Sequence, residues 1–222
     1  MKRVPEPELM DSEAQASAYA GADFSESNTL FTNQFLDHFH QPDSTGQLAD
    51  LGCGPADICI RLCRALPGWR ITGLDAGPNM LRHAAVAVAG AGLEQRIELR
   101  LSHLPDPELP TGFFQAVTSN SLLHHLPEPG VLWSTIRQIG APGAAVQVMD
   151  LRRPADQDGA AELVDTYAAD APQVLKDDFY HSLLAAYTPE EVARQIQEHG
   201  LGFLEISLPS DRHWLAAGRM PG

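Results

Sequence analysis

Residues 48–57, Leu-Ala-Asp-Leu-Gly-Cys-Gly-Pro-Ala-Asp, constrain the fold more than any other segment of this chain. An apolar strand runs into two glycines spaced by one residue, and a helical pattern follows at once. Gly52 and Gly54 can take backbone angles closed to other residues and leave room for a ligand to touch the main chain. Asp50 adds a carboxylate at the strand end. A strand, a glycine loop and a helix in this order make a nucleotide-type cofactor site at the carboxyl edge of a parallel sheet.

Spacing narrows the cofactor. The dinucleotide fingerprint requires a third glycine three positions after the second. Asp57 stands there, and a carboxylate at a helix start would repel a pyrophosphate. This argues against a nicotinamide oxidoreductase. A second acid, Asp75, closes the strand pattern Ile71-Thr72-Gly73-Leu74-Asp75, where a carboxylate accepts both ribose hydroxyls. Two acids without a phosphate-binding cation fit a cofactor with a ribose and positive charge, such as S-adenosylmethionine (SAM).

On these residues the chain resembles the class I SAM-dependent methyltransferases of the small-molecule branch, over roughly residues 44–154. Asp50–Ala56 is similar to their first motif and Asp75–Leu81 to their second. Thr118–Leu126 resembles the motif after the fourth strand, and Ala141-Pro142-Gly143 the turn before the fifth. The resemblance implies that Asp75 holds the ribose, with Ala76 and Met80 beside the adenine. It also implies that Gly52 and Gly54 shape the pocket, and that Asp50 lies near the methionine amine. Asn120 and Tyr19 join this cofactor group. Members usually carry an adenine-binding acid after strand three; here Ser102-His103 stands there, and His103 takes its place as a candidate.

The expected architecture is α/β: a three-layer sandwich around a seven-stranded, mostly parallel sheet with an antiparallel last strand. Strands are expected at 46–51, 69–75, 95–101, 113–120, 143–151, 202–208 and 213–218. Helices are expected at 55–66, 78–90, 129–139, 156–170 and 189–199, the last opened by the capping box Thr188-Pro189-Glu190-Glu191. The chain reads as one domain, 1–222. It divides into an N-terminal helical lid (1–43), a SAM-binding core (44–154), a helical insert (155–188) and a final helix with a β-hairpin (189–222).

Methyl transfer from a sulfonium needs alignment more than acid–base help, so catalytic residues are hard to read from sequence. His124, after strand four, is the candidate base; it also reads as a hydrogen-bonded wall residue. Tyr180 and His181 lie in the insert expected to roof the acceptor pocket. Phe24, Arg153, Arg212 and His213 are substrate-binding candidates, and the arginines suggest an acceptor with an anionic group. Nine histidines show no tight ligand spacing, so no metal site is expected.

A net charge of −14 argues against a nucleic-acid substrate, which needs a cationic footprint. No run approaches the ~18 apolar residues of a membrane helix, and the start Met1–Pro7 lacks an apolar export stretch. A cytoplasmic location follows as an expectation. The three cysteines are expected to stay reduced. Partners reduce to a small-molecule acceptor, with no nucleic acid or membrane and a monomer or homodimer. A non-catalytic SAM- or metabolite-binding protein of the same fold is the alternative reading.

Overall fold

Alternation within the strands divides the interior into two layers. The computed structural model describes residues 1–6, 12–39 and 45–222. Its sheet has the order β3-β2-β1-β4-β5-β7-β6. The strands are β1 (Gly46–Leu51), β2 (Trp69–Asp75), β3 (Ile97–Leu101), β4 (Phe114–Asn120), β5 (Gly140–Leu151), β6 (Glu205–Ser207) and β7 (His213–Arg219). The first five pair in parallel, while β7 is antiparallel to both β5 and β6. The seven-stranded, mostly parallel sheet is the expected one, and β5 begins earlier than the sequence pattern suggests.

Side chains of a strand point to opposite faces in turn. Leu51, Val117, Val146, Val148 and Trp214 therefore share one face with α5 (Gly130–Ile139) and α8 (Pro189–Glu198). Leu48, Ala116, Met149 and Leu215 face the other side, against α2 (Ser25–Phe39), α3 (Asp57–Ala65) and α4 (Pro78–Ala91). This is the three-layer arrangement expected of alternating strands and helices. Phe31 and Phe35 of α2 are buried in that second layer, and Gln147 donates to the Phe31 carbonyl at 2.9 Å. The apolar stripe of α2 is thus used inside the chain. Residues 7–11 and 40–44, which include the expected lid boundary at 43–44, lie outside the described residues.

The capping box of α8 forms as read. Thr188 Oγ1 accepts from Glu191 N at 3.3 Å, and Glu191 Oε2 accepts from Thr188 N at 2.9 Å. Between β5 and α8 lies the insert, α6 (Gln157–Tyr167) and α7 (Gln173–Ala185), with its own small apolar cluster around Val164, Leu183 and Leu184. At the N-terminus, α1 (Glu13–Gly21) reaches α4 through a Glu13–Arg82 ion pair and α7 through Gln15 and Asp178. All three cysteines are buried and unbridged.

Candidate functional site: a cofactor cleft beside an acceptor cavity

The sheet order reverses at β1, whose neighbours are β2 on one side and β4 on the other. The carboxyl ends of strands at such a switch point leave a crevice. The loop after β1 is stitched to β2, because Gly52 N and Cys53 N both donate to the Leu74 carbonyl, at 2.8 and 2.9 Å. Gly52 has φ +74°, and a Cβ there would stand 3.0 Å from the Leu122 side chain. Gly54 has φ +50° and open space where its Cβ would lie, as a ligand cradle requires.

Asp75 is held by this loop. Its Oδ2 accepts from Gly54 N and its Oδ1 from Gly77 N, both at 2.8 Å. These two contacts orient the carboxylate at the mouth of the cleft. Gly52, Gly54, Asp75, Ala76, Met80 and Asn120 line the cleft, and Tyr19 of α1 closes it. Tyr19 stacks on Phe24 with 4.5 Å between ring centres, and burial followed by the nearby Asp75 charge pushes its phenol up to about 12. Asn120 Oδ1 is buried with no hydrogen-bond partner among the described residues.

Asp50 sits one layer deeper. Thr118 donates to its Oδ1 at 2.8 Å and the Cys59 thiol to its Oδ2 at 3.2 Å. Burial nevertheless pushes its carboxyl up to about 6, beyond what these donors offset. Asp57, in the place of the missing third glycine, accepts from Asn28 of α2 at 2.8 Å and from Arg61 at 2.5 Å. That acid therefore ties the lid to α3.

Asn120 also borders a second cavity of about 750 Å³. Tyr19 and Phe24 wall it from the lid, Tyr167, Asp178 and Phe179 from the insert, and Arg212 and His213 from the hairpin. His124 and His125 stand at its edge. Asp150, at the end of β5, grips His124 twice: its Oδ2 accepts the backbone N–H at 3.1 Å, and its Oδ1 lies 2.5 Å from ring Nδ1. Burial opposes charge on His124, but Asp150 and Glu6 outweigh it and raise the imidazole pKa. Glu6 Oε1 lies 3.5 Å from His124 Nε2 and 3.2 Å from His125 Nδ1.

Four sequence candidates stand apart from these cavities. His103 is exposed, while its neighbour Ser102 lines the cofactor cleft and donates to Asp106 at 2.7 Å. Arg153 points to α8, where it meets Glu191 at 2.7 Å and donates to the Ala186 carbonyl at 3.0 Å. Tyr180 and His181 fall on the wrong phase of α7. Asp178, Phe179 and Ser182 line the cavity, whereas Tyr180 and the exposed His181 do not. Arg212 does line it, but stacks 3.4 Å from the Tyr167 ring centre and pairs with Glu26 at 3.4 Å and Asp211 at 3.5 Å. His213 accepts or donates at Ser210 Oγ at 2.8 Å, and burial holds it near 4, hence neutral.

Two residues of the site were not among the sequence candidates. Asp150 had a readable signal, an acid ending a strand in Met149-Asp150-Leu151, as in β1 and β2. Glu6 had none, since only the folded chain brings position 6 to position 124.

Residues 48–143 match the methyltransferase domain family. An uncharacterized methyltransferase of Mycobacterium bovis is 27% identical over 160 residues, covering 71% of this chain and 77% of the relative. A trans-aconitate 2-methyltransferase of Methylobacterium nodulans is 29% identical over 151 residues, covering 63% and 56%. A SAM-dependent methyltransferase structure from Aquifex aeolicus superposes with a TM-score of 0.70 at 14% identity, covering 94% and 98% of the two chains, which speaks for the fold. Residues 48–143 thus carry a methyltransferase domain, and the strand order and these relatives support a class I SAM-dependent methyltransferase.

Proposed function

We propose that this enzyme binds SAM in the cleft at the β1–β2–β4 edge and methylates a small molecule held in the adjoining cavity. The single observation that carries the reading is Asp75, fixed by Gly54 N and Gly77 N at the mouth of the cleft. It accepts the two ribose hydroxyls. Ala76 and Met80 flank the adenine, and Gly52 and Gly54 let the methionine portion approach the main chain. Asp50 and the unpartnered Asn120 Oδ1 favour an ammonium group nearby. Bound there, SAM supplies an electrophilic methyl group on a sulfonium leaving group.

The protein's part is to align the acceptor with that methyl group and to keep water out, worth up to about 7–11 kcal/mol for a well-aligned pair. Tyr19 lines both spaces and separates them from solvent. His124, oriented by Asp150, is the group that takes a proton from the acceptor. Tyr180, His181 and Arg153 have no part in this reading, and neither does His103.

The acceptor is neutral or cationic. Asp23, Glu26, Asp170 and Asp178 border the cavity, against the single arginine Arg212, whose charge is already met by Glu26 and Asp211. An anionic acceptor, suggested by the arginines in the sequence and by the trans-aconitate relative, would enter an unfavourable field. The same field and the net charge of −14 disfavour nucleic acid.

Calorimetry with SAM and S-adenosylhomocysteine tests the first step. Release of S-adenosylhomocysteine across paired amine, phenol and carboxylate acceptors tests the second. Turnover confined to carboxylates would overturn the assignment of acceptor charge, and absence of SAM binding would overturn the whole reading.

A further inference from the structure

We propose that Glu6, His124 and His125 form a three-ligand site for a divalent transition-metal ion of the zinc type, open toward the acceptor cavity. One ligand atom from each of the three lies within 4.8 Å of the others. Glu6 Oε1 stands 3.5 Å from His124 Nε2 and 3.2 Å from His125 Nδ1. Ligands about 2.0–2.1 Å from a tetrahedral ion are roughly 3.3 Å apart, so these separations suit an ion placed between them. Two imidazoles with one carboxylate make a donor set suited to zinc, cobalt or nickel rather than to magnesium or calcium.

The surroundings are built as metal sites are. A ligating histidine ordinarily gives its other ring nitrogen to a carboxylate, which fixes tautomer and ring orientation. Asp150 does this to His124 Nδ1 at 2.5 Å and leaves Nε2 facing Glu6, so an ion bound there would occupy the nitrogen that serves as proton acceptor in the ion-free protein. The Glu6 carboxylate accepts in turn from Ser182 Oγ at 3.1 Å. The three side chains are 8%, 3% and 14% exposed, in the order Glu6, His124, His125, so the cluster is shielded from bulk water.

Glu6 is delivered by a segment pinned along its length. Arg3 donates to the carbonyls of His124 at 2.9 Å and Ala185 at 2.5 Å, and its guanidinium lies 4.2 Å from the Tyr187 ring centre. Val4 N donates to the Leu184 carbonyl at 3.0 Å. The Arg3 contact fixes the main chain of one ligand while positioning the segment that brings another. His124 and His125 both border the acceptor cavity, so the ion's remaining position faces the space where an acceptor oxygen or nitrogen would lie.

The orientation of the ion toward an acceptor rests on the proposed function, whereas metal binding itself can be measured without methyl transfer. Full-length protein freed of metal by chelation is titrated with Co²⁺ and followed by its visible absorption, then challenged with Zn²⁺. We expect one equivalent of Co²⁺, an intense band of low-coordinate cobalt, and full displacement by Zn²⁺. Glu6→Gln, which keeps the side chain's size, and His125→Ala should each weaken Co²⁺ binding by at least about tenfold. Their thermal unfolding should stay close to that of the parent. No saturable binding, or binding that both variants leave within twofold, overturns the proposal. If Glu6→Gln fails to fold, His125→Ala decides alone.

Discussion

The cofactor cleft and the acceptor cavity share a wall at Asn120, yet they are assembled in different ways. The cleft is local. Its glycine loop, the proposed ribose acid Asp75 and the start of its second helix lie within residues 50–80, while Tyr19, Ser102 and the segment around Asn120 join it from elsewhere. The cavity is remote in sequence, since its residues come from both ends of the chain, the lid, the insert and the hairpin. A cofactor shared across a family can be served by one continuous motif. An acceptor is met by whatever the appended elements bring, which is where specificity can diverge without disturbing the core.

His124→Ala should separate the two regions most sharply. Loss of a positioned proton acceptor costs about 10²–10⁴ in turnover. SAM affinity should stay within about twofold, since His124 does not line the cleft. Single-turnover kinetics alongside calorimetry checks both halves of that expectation. An equal loss in both would mean that the regions are energetically one.

A smaller effect sharpens the electrostatics of the cleft. The Asp50 carboxyl is raised to about 6, so the ligand-free fold keeps its proton to higher pH than the unfolded chain does. Its contribution to stability is therefore full in acid and lost as pH rises through about 6. A cation bound nearby favours the ionised form. SAM binding should release a proton below that pH and tighten by up to about tenfold between pH 5 and 7. Calorimetry in two buffers of different ionisation heat counts the proton, and a flat profile would place the ammonium elsewhere.

Loosening the lid should do less. Asn28→Ala removes the donor to Asp57, a bond to a charged group worth about 1.5–3 kcal/mol when shielded and less at this partly exposed position. A rise of about three- to tenfold in the Michaelis constant for SAM is expected from steady-state kinetics, with turnover little changed. His103→Ala should do least: the exposed ring borders neither cavity, so affinity and stability should stay within about 0.5 kcal/mol of the parent.

The contrast also explains what could be read in advance. Asp50, Gly52, Gly54 and Asp75 announced themselves because glycine and acid at strand ends carry a backbone and a charge requirement visible without tertiary structure. The sheet followed from period-two alternation, and α8 from its capping box. The acceptor side failed on phase and on distance. Arg152 and Arg153 project to opposite sides of the chain leaving β5, so one reaches the Asp211 carbonyl at 2.7 Å and the other turns to α8. On α7, a residue's turn of about 100° decides that Phe179 faces the cavity and Tyr180 does not. Glu6 meets His124 across a separation of 118 positions, 6 to 124, with no periodicity to mark it.

The proposed ribose contact at Asp75 tests the account most directly. Calorimetry should give SAM binding to the parent chain and a loss of at least about hundredfold in Asp75→Ala, from two charge-assisted hydrogen bonds of about 1.5–3 kcal/mol each. Asp75→Asn, which retains the shape of the group, should fall between the two. Affinity for SAM that stays within threefold in Asp75→Ala would contradict the central claim.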